Sequence, residues 1–348
     1  MIHSYHNLPR GDAVPTRSHD PCGRFVDTAA EQAFRDAYAA LCEQRWPTPP
    51  KVLEAETRFG SSHVFHWPGS GAPIVLLHGS GSTSILWHPV VEGLAGRSLY
   101  AVDTIGEPGG SVQRAPIREA SDLAHWLDDT IEGLGLDRVH LVGASYGGWL
   151  ALNQALHSPR RLATISLIEP AGFQRVGVRF FLWAIACGFA SLAPAPIRRR
   201  AALWLRMRII DDQQMRRLAM LSYRKYRFRL PKESTPSDEQ LRSVTIPTLL
   251  MLGEKSELHD ARRVLARASS LMPDLEAEIV RGAGHSLPYD QAGDVSRRVL
   301  RFITTHEAGA RADGPARNRK HCAGGPAEPD RDSSRPTLRA VPAANGRT

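Results

Sequence analysis

Ser145 stands in Gly143-Ala144-Ser145-Tyr146-Gly147, a G-x-S-x-G pentapeptide that follows the apolar run VHLV and leads into GWLALNQAL. A strand, a sharp turn and a helix in that order hold a serine hydroxyl exposed on strained backbone. Gly143 and Gly147 suit the close approach of strand and helix. A serine hydroxyl is a weak nucleophile and needs a base. His285, in GAGHS 140 residues downstream, follows the last expected strand, and a parallel sheet gathers the C-terminal ends of its strands. Of the 14 histidines, His78 is the main competitor, but its place at a strand end suits it to shaping a loop. His259 and His88 lack a comparable setting.

Attack on a carbonyl creates an oxyanion that needs donors. The backbone N–H of Tyr146, next to the nucleophile, is one candidate, and that of Ser80, in the loop GSGSTS after His78, is the other. The same loop lacks the lysine and spacing of a nucleotide-binding P-loop. Asp103 ends a strand and could act in catalysis. The simpler expectation is that it accepts hydrogen bonds from backbone N–H groups of the TIGEPGG loop.

The elements that must position these residues are legible as a rhythm. Apolar runs without alternation at 74–78, 98–102, 138–142, 162–168, 245–252 and 277–280 read as strands buried on both faces. Helical spacing at 27–46, 119–134, 149–157, 261–270 and 295–303 supplies the intervening layers. Between about 171 and 240 the rhythm stops, which implies a helical insertion in a doubly wound α/β domain. Trp46 and Trp87 suit architectural roles.

Composition narrows the classes further. The 348 residues carry a net charge of +8, with 42% hydrophobic and 23% charged residues, a soluble globular profile. Residues 311–348 hold eight basic and four acidic side chains, so half of that charge sits in a proline-rich tail expected to be disordered. A nucleic-acid partner is therefore not expected. The four cysteines are far apart and form no zinc or disulfide pattern. The N-terminus lacks a signal-peptide core, and the most apolar stretch, 180–196, is shorter than the roughly 20 residues of a membrane span. A cytoplasmic location is the expectation.

IVLLHGSGSTS with Trp87, AVDTIGEPG, LVGASYGGWLAL, PTLLMLGEKSELHD and IVRGAGHSLPYD, in this order, resemble the α/β-hydrolase fold superfamily, nearest its carboxylesterase-like branch. The resemblance covers about residues 30–305. It implies a mostly parallel sheet with helices on both faces and a helical cap. It also implies Ser145 as nucleophile, His285 as base, and Tyr146 and Ser80 as oxyanion donors. Serine at the elbow argues against the dehalogenases and epoxide hydrolases of this fold, which use a carboxylate there.

The acid of the triad departs from the pattern. Ser256 occupies the position where relatives carry Asp or Glu, and a serine cannot hold the charge that orients His285. Glu257, next door, is the preferred replacement. Asp260 and Glu169 are alternatives, and a Ser–His dyad is a fourth.

The domain reading is a leader at 1–24, a hydrolase domain at 25–305 with its cap at about 171–240, and a tail at 306–348. Residues 198–232 hold twelve basic and two acidic side chains behind the aromatic cluster at 180–189. The simplest account of this insertion is a core-facing apolar stripe with a solvated charged face. A lid over a hydrophobic pocket comes next, and membrane contact is not expected. The function expected is hydrolysis of a hydrophobic ester or thioester through an acyl-enzyme, without metal or organic cofactor. Acyl transfer or cyclisation, or a non-catalytic binding role, are the alternatives. Natural substrate and oligomeric state stay open.

Overall fold

The computed structural model describes residues 21–312. Eight strands form the main path of the central sheet: β1 Lys51–Thr57, β2 Gly60–Trp67, β3 Ser70–Leu77, β4 Arg97–Val102, β5 Val139–Ala144, β6 Leu162–Ile168, β7 Thr248–Gly253 and β8 Leu275–Val280. A ninth, two-residue strand, Val112–Gln113, pairs with β2 off that path. Their spatial order is β8-β7-β6-β5-β3-β4-β2-β1. All pairings from β4 through β8 are parallel, while β2 runs antiparallel to both β1 and β4. Every residue of β5, β6 and β7 is buried. That explains their unbroken apolar runs, because helices cover both faces.

The helices are α1 Thr28–Arg45, α2 His88–Gly93, α3 Ala120–Gly133, α4 Tyr146–His157, α5 Val178–Leu192, α6 Ala195–Trp204, α7 Gln213–Lys225, α8 Asp238–Ser243, α9 Ala261–Leu271, α10 Leu287–Asp290 and α11 Ala292–Ala312. One core layer joins α3, α4 and α9 to the sheet through residues such as Trp126, Leu150 and Val264. The opposite layer joins α1, α2 and α11 through Phe34, Val90 and Phe302. Trp46 packs its ring edge-on against Trp67 at 4.7 Å, and Trp87 is fully buried in the same layer, so both serve the architecture.

Helices α5 to α8 interrupt the alternation between β6 and β7 and form the inserted cap. The cap is tied to the body by Asp212, which caps α7 at Gln214 N and Met215 N. The same carboxylate accepts hydrogen bonds from Arg45 at 2.8 Å and the Tyr289 hydroxyl at 2.9 Å. A small apolar cluster of Trp183, Ala202, Leu205 and Ile210 holds the cap together internally.

The boundaries differ from the sequence reading at both ends. Arg24–Phe25 forms a two-residue strand with Tyr226–Arg227 of the cap, and α11 continues to Ala312. Residues 1–20 of the expected leader and 313–348 of the expected tail lie outside the described residues. Among the described residues, no helix is long and apolar enough to cross a membrane.

Candidate active site

The turn that carries Ser145, the candidate nucleophile, arises where β5 ends and α4 begins. Ser145 has φ 53° and ψ −117°, a strained conformation for a residue with a side chain. A Cβ on Gly143 would lie 2.0 Å from the Gly147 carbonyl oxygen, and one on Gly147 would lie 2.2 Å from that of Leu77. Only glycine fits at either position, which is the spatial meaning of the G-x-S-x-G spacing. The turn is held by hydrogen bonds from Ser145 N to Ile168 O and from Ala171 N to Ser145 O, each 3.0 Å.

His285 reaches this turn from the loop between β8 and α10. Its Nε2 lies 3.1 Å from Ser145 Oγ, and its Nδ1 lies 3.2 Å from Glu169 Oε2. With the hydroxyl donating to Nε2, the ring proton sits on Nδ1 and points at the carboxylate. Ser145 and His285 are half-buried, whereas Glu169 is fully enclosed.

Glu169 follows β6 directly and adopts φ 49°, which swings its carboxylate across the end of β7. There it accepts hydrogen bonds from Gly253 N and from Ser256 Oγ, the latter at 2.6 Å. His259 Nε2 lies 4.0 Å away. Burial alone would raise the carboxyl's pKa. The bond to His285, the positive ends of His259 and His285, and the Ser256 hydroxyl together hold it below the ordinary carboxylate value.

The loop that was expected to provide the acid is arranged differently. Glu257 makes no hydrogen bond to the His285 ring. Its carboxylate lies beneath the backbone of the 284–285 loop, and its nearest cation is Arg206 at 4.0 Å. Its Oε2 has no hydrogen-bond partner among the described residues, and burial raises its pKa. Asp260 is occupied as the N-cap of α9, accepting from Arg262 N and Arg263 N. The physical reason for the departure is Ser256. At the position of the usual acid it donates to Glu169, so the β7 loop supports a carboxylate from β6 rather than carrying one.

The loop after β3 forms the opposite wall. A Cβ on Gly79 would fall 3.2 Å from Ser145 Cβ, so this loop abuts Ser145. Ser80 sits on it, and Tyr146 occupies the first position of α4, where an N–H has no partner within its own helix. Glu107, buried in the TIGEPGG loop, accepts from Ser80 Oγ and Gly81 N, each at 2.7 Å. Burial pushes its carboxyl up to about 7. From the cap, the Tyr223 hydroxyl donates to Ser80 O at 3.0 Å.

His78 and Asp103 do the structural work expected of them. His78 Nε2 accepts from Thr104 N at 3.0 Å, which leaves Nδ1 to donate to Gly79 O. Asp103 accepts from Tyr38 Oη, Ser84 N and Gly110 N, the last at 2.8 Å, and faces His63 at 3.2 Å. Sequence reasoning missed the supporting roles of Glu107, Ser256 and His259 around the reacting groups. No local spacing marks them, since each partner is distant in the chain. The inner face of α5 closes the site, with the rings of Phe180 and Trp183 edge-on to His285 at 5.7 and 6.0 Å. Among the described residues there is no group of His, Cys, Asp and Glu able to hold a metal ion.

Comparison with known proteins agrees with the fold. Residues 74–298 match the family model described as the alpha/beta hydrolase family. A carboxylesterase of Bacillus subtilis (strain 168), YbfK, is 30% identical over 269 residues, covering 74% of this chain and 89% of its own. An uncharacterized carboxylesterase of the same organism, nap, is 31% identical over 275 residues, with 74% and 88% covered. The crystal structure of naproxen esterase (carboxylesterase NP) from Bacillus subtilis superposes with a TM-score of 0.69 at 30% identity, across 80% of this chain and 99% of that one. On the strength of the family model, these relatives and the shared fold, this chain belongs to the alpha/beta hydrolase family, as a carboxylesterase-type serine hydrolase.

Proposed function

We propose that the protein hydrolyses carboxylic esters or thioesters of small hydrophobic molecules through an acyl-enzyme on Ser145, with His285 as base and Glu169 as the triad acid. The observation that carries this reading is the single imidazole bridging Ser145 Oγ at 3.1 Å and Glu169 Oε2 at 3.2 Å. Ser145 Oγ attacks the carbonyl carbon while His285 Nε2 takes its proton. The Glu169 carboxylate, fixed by Gly253 N and Ser256 Oγ, stabilises the imidazolium that forms. The oxyanion is received by the N–H groups of Tyr146 and Ser80. His285 then gives its proton to the leaving alcohol or thiol. Water, deprotonated by the same nitrogen, releases the acid and restores Ser145.

The preference for hydrophobic substrates rests on Phe180 and Trp183, which line the approach to His285. The relatives' names point the same way. With Glu169 beside His285, a non-catalytic role loses the argument that Ser256 lent it. A fluorophosphonate probe followed by intact-mass analysis tests the reading. One adduct on Ser145, abolished by Ser145→Ala and by His285→Ala, is expected. Folded protein that takes no adduct would refute it. An ester panel of graded acyl length then ranks substrates.

The cytoplasm is the compartment we propose, because Cys42 and Cys187 are thiols rather than halves of a disulfide. Recovery of the protein from the culture medium or periplasm of producing cells would overturn that placement.

A further inference from the structure

Helix α5 is apolar on two faces, and the site accounts for only one of them. Phe180 and Trp183 turn inward to His285, and Trp183 is the one buried side chain of the helix. Val178, Phe181, Leu182, Ile185, Phe189 and Leu192 recur at helical spacing on the other side, with Leu182 61% exposed, Phe189 73% and Leu192 70%. On α6, which packs against α5, Leu203 and Trp204 are exposed too, Trp204 at 75%. Among the described residues, the large apolar side chains that stand out in solvent all fall between residues 178 and 223. An outer helix face in water is ordinarily polar, and a contiguous apolar patch marks an interaction site.

Charge identifies what covers it. Residues 171–212 contain seven arginines and two acidic side chains. Asp211 pairs with Arg198 and Arg199, each at 3.4 Å, and Asp212 with Arg45, so the excess stays basic. Arg179, Arg199 and Arg200, on the same two helices, are exposed. A second copy docked about a two-fold axis would bring this basic surface against itself. Anionic headgroups above acyl chains match both the arginines and the stripe. Trp204 is a residue type favoured at the boundary between headgroups and hydrocarbon.

We infer that the outer face of α5 and α6 is a docking surface for an anionic phospholipid bilayer. The helices lie in the interface and do not cross it, in keeping with their length. Because α5 also roofs His285, docking would hold the site next to esters dissolved in the membrane. That consequence rests on the proposed esterase function, but the docking itself does not.

Sedimentation of the full-length protein with vesicles tests it. Vesicles of equal parts phosphatidylcholine and phosphatidylglycerol should carry the protein down, and phosphatidylcholine alone should do so far less. The double variant Leu182→Ser/Phe189→Ser should partition at least about tenfold more weakly, because it removes inserted apolar area. Arg199→Ser/Arg200→Ser should weaken binding to the anionic vesicles only. Melting temperatures and turnover of a short soluble ester should stay near wild type in both variants, since these side chains face solvent. Unchanged partitioning of Leu182→Ser/Phe189→Ser would overturn the proposal and assign lipid binding to another segment, such as the basic C-terminal residues. Absence of vesicle binding, with a dimer in sedimentation velocity that the same variant dissociates, would assign the face to a second copy.

Discussion

Two neighbouring strand ends in this protein hold carboxylates within reach of the loop that carries His285, and they differ in what surrounds them. At the end of β6, Glu169 is fully buried and already accepts hydrogen bonds from Gly253 N and Ser256 Oγ before His285 is counted. After β7, Glu257 is only partly buried, its Oε2 has no hydrogen-bond partner among the described residues, and Arg206 lies 4.0 Å away. Proximity in sequence to the family's usual acid position favours Glu257. Pre-organisation favours Glu169, because a buried anion persists only where donors compensate its lost hydration. Three positions past the β7 glycine stands a donor, Ser256, and the carboxylate that faces His285 comes from the neighbouring strand, β6.

The largest effect that could break this comparison is that of Glu169→Gln. Turnover should fall by roughly 10²–10⁴, as for neutralising a triad acid, with the protein still folded by circular dichroism. Moving the charge back sharpens the point. In Glu169→Gln/Ser256→Asp, a carboxylate stands again at the usual position, and part of the lost turnover should return relative to Glu169→Gln alone. No recovery in a folded double variant would show that the β7 loop cannot present an acid to His285.

Ser256→Ala comes next. It removes a hydrogen bond to a charged, buried group, of the order of 1.5–3 kcal/mol. We expect a drop in melting temperature together with a loss of turnover of about tenfold, since Glu169 is less firmly held.

The pH dependence of stability contrasts Glu169 with Glu107, two buried carboxylates shifted in opposite directions. Glu169 is held below its ordinary 4.5, so its contribution is present above that value and is lost as the pH falls through its folded pKa. Glu107 is raised to about 7, so its contribution is present below about 4.5 and is lost as the pH rises through about 7. Melting curves of Glu107→Gln and wild type, compared from about pH 4.5 to about pH 8, should therefore shift in the variant's favour as the pH rises. A constant difference would refute the raised value.

The smallest expected effect belongs to Glu257→Gln, whose turnover should stay within about twofold of wild type. A loss as large as that of Glu169→Gln would return the role to the β7 loop.

How far these features could be read without coordinates depends on whether their cause is local. The elbow at Ser145, the strand rhythm, the cap between β6 and β7 and the loop-shaping of His78 and Asp103 are carried by residues close in sequence. Side-chain size at Gly143 and Gly147, and unbroken apolar runs in strands covered on both faces, leave marks that any reader of the chain can find. The outward stripe of α5 could not be read in this way. An apolar helical stripe looks the same in sequence whether it faces a core, a pocket or the outside, and only the packing of α6 and the body against α5 decides which.

Sequence alone therefore determined that this is an α/β hydrolase with Ser145 on its nucleophile turn and His285 on the loop after the last strand, because backbone sterics and strand burial write those features into short stretches. Tertiary structure alone decided which carboxylate meets His285. Glu169, Ser256 and His285 belong to three strand ends that are remote in the chain, and their hydrogen bonds exist only once β6, β7 and β8 lie side by side.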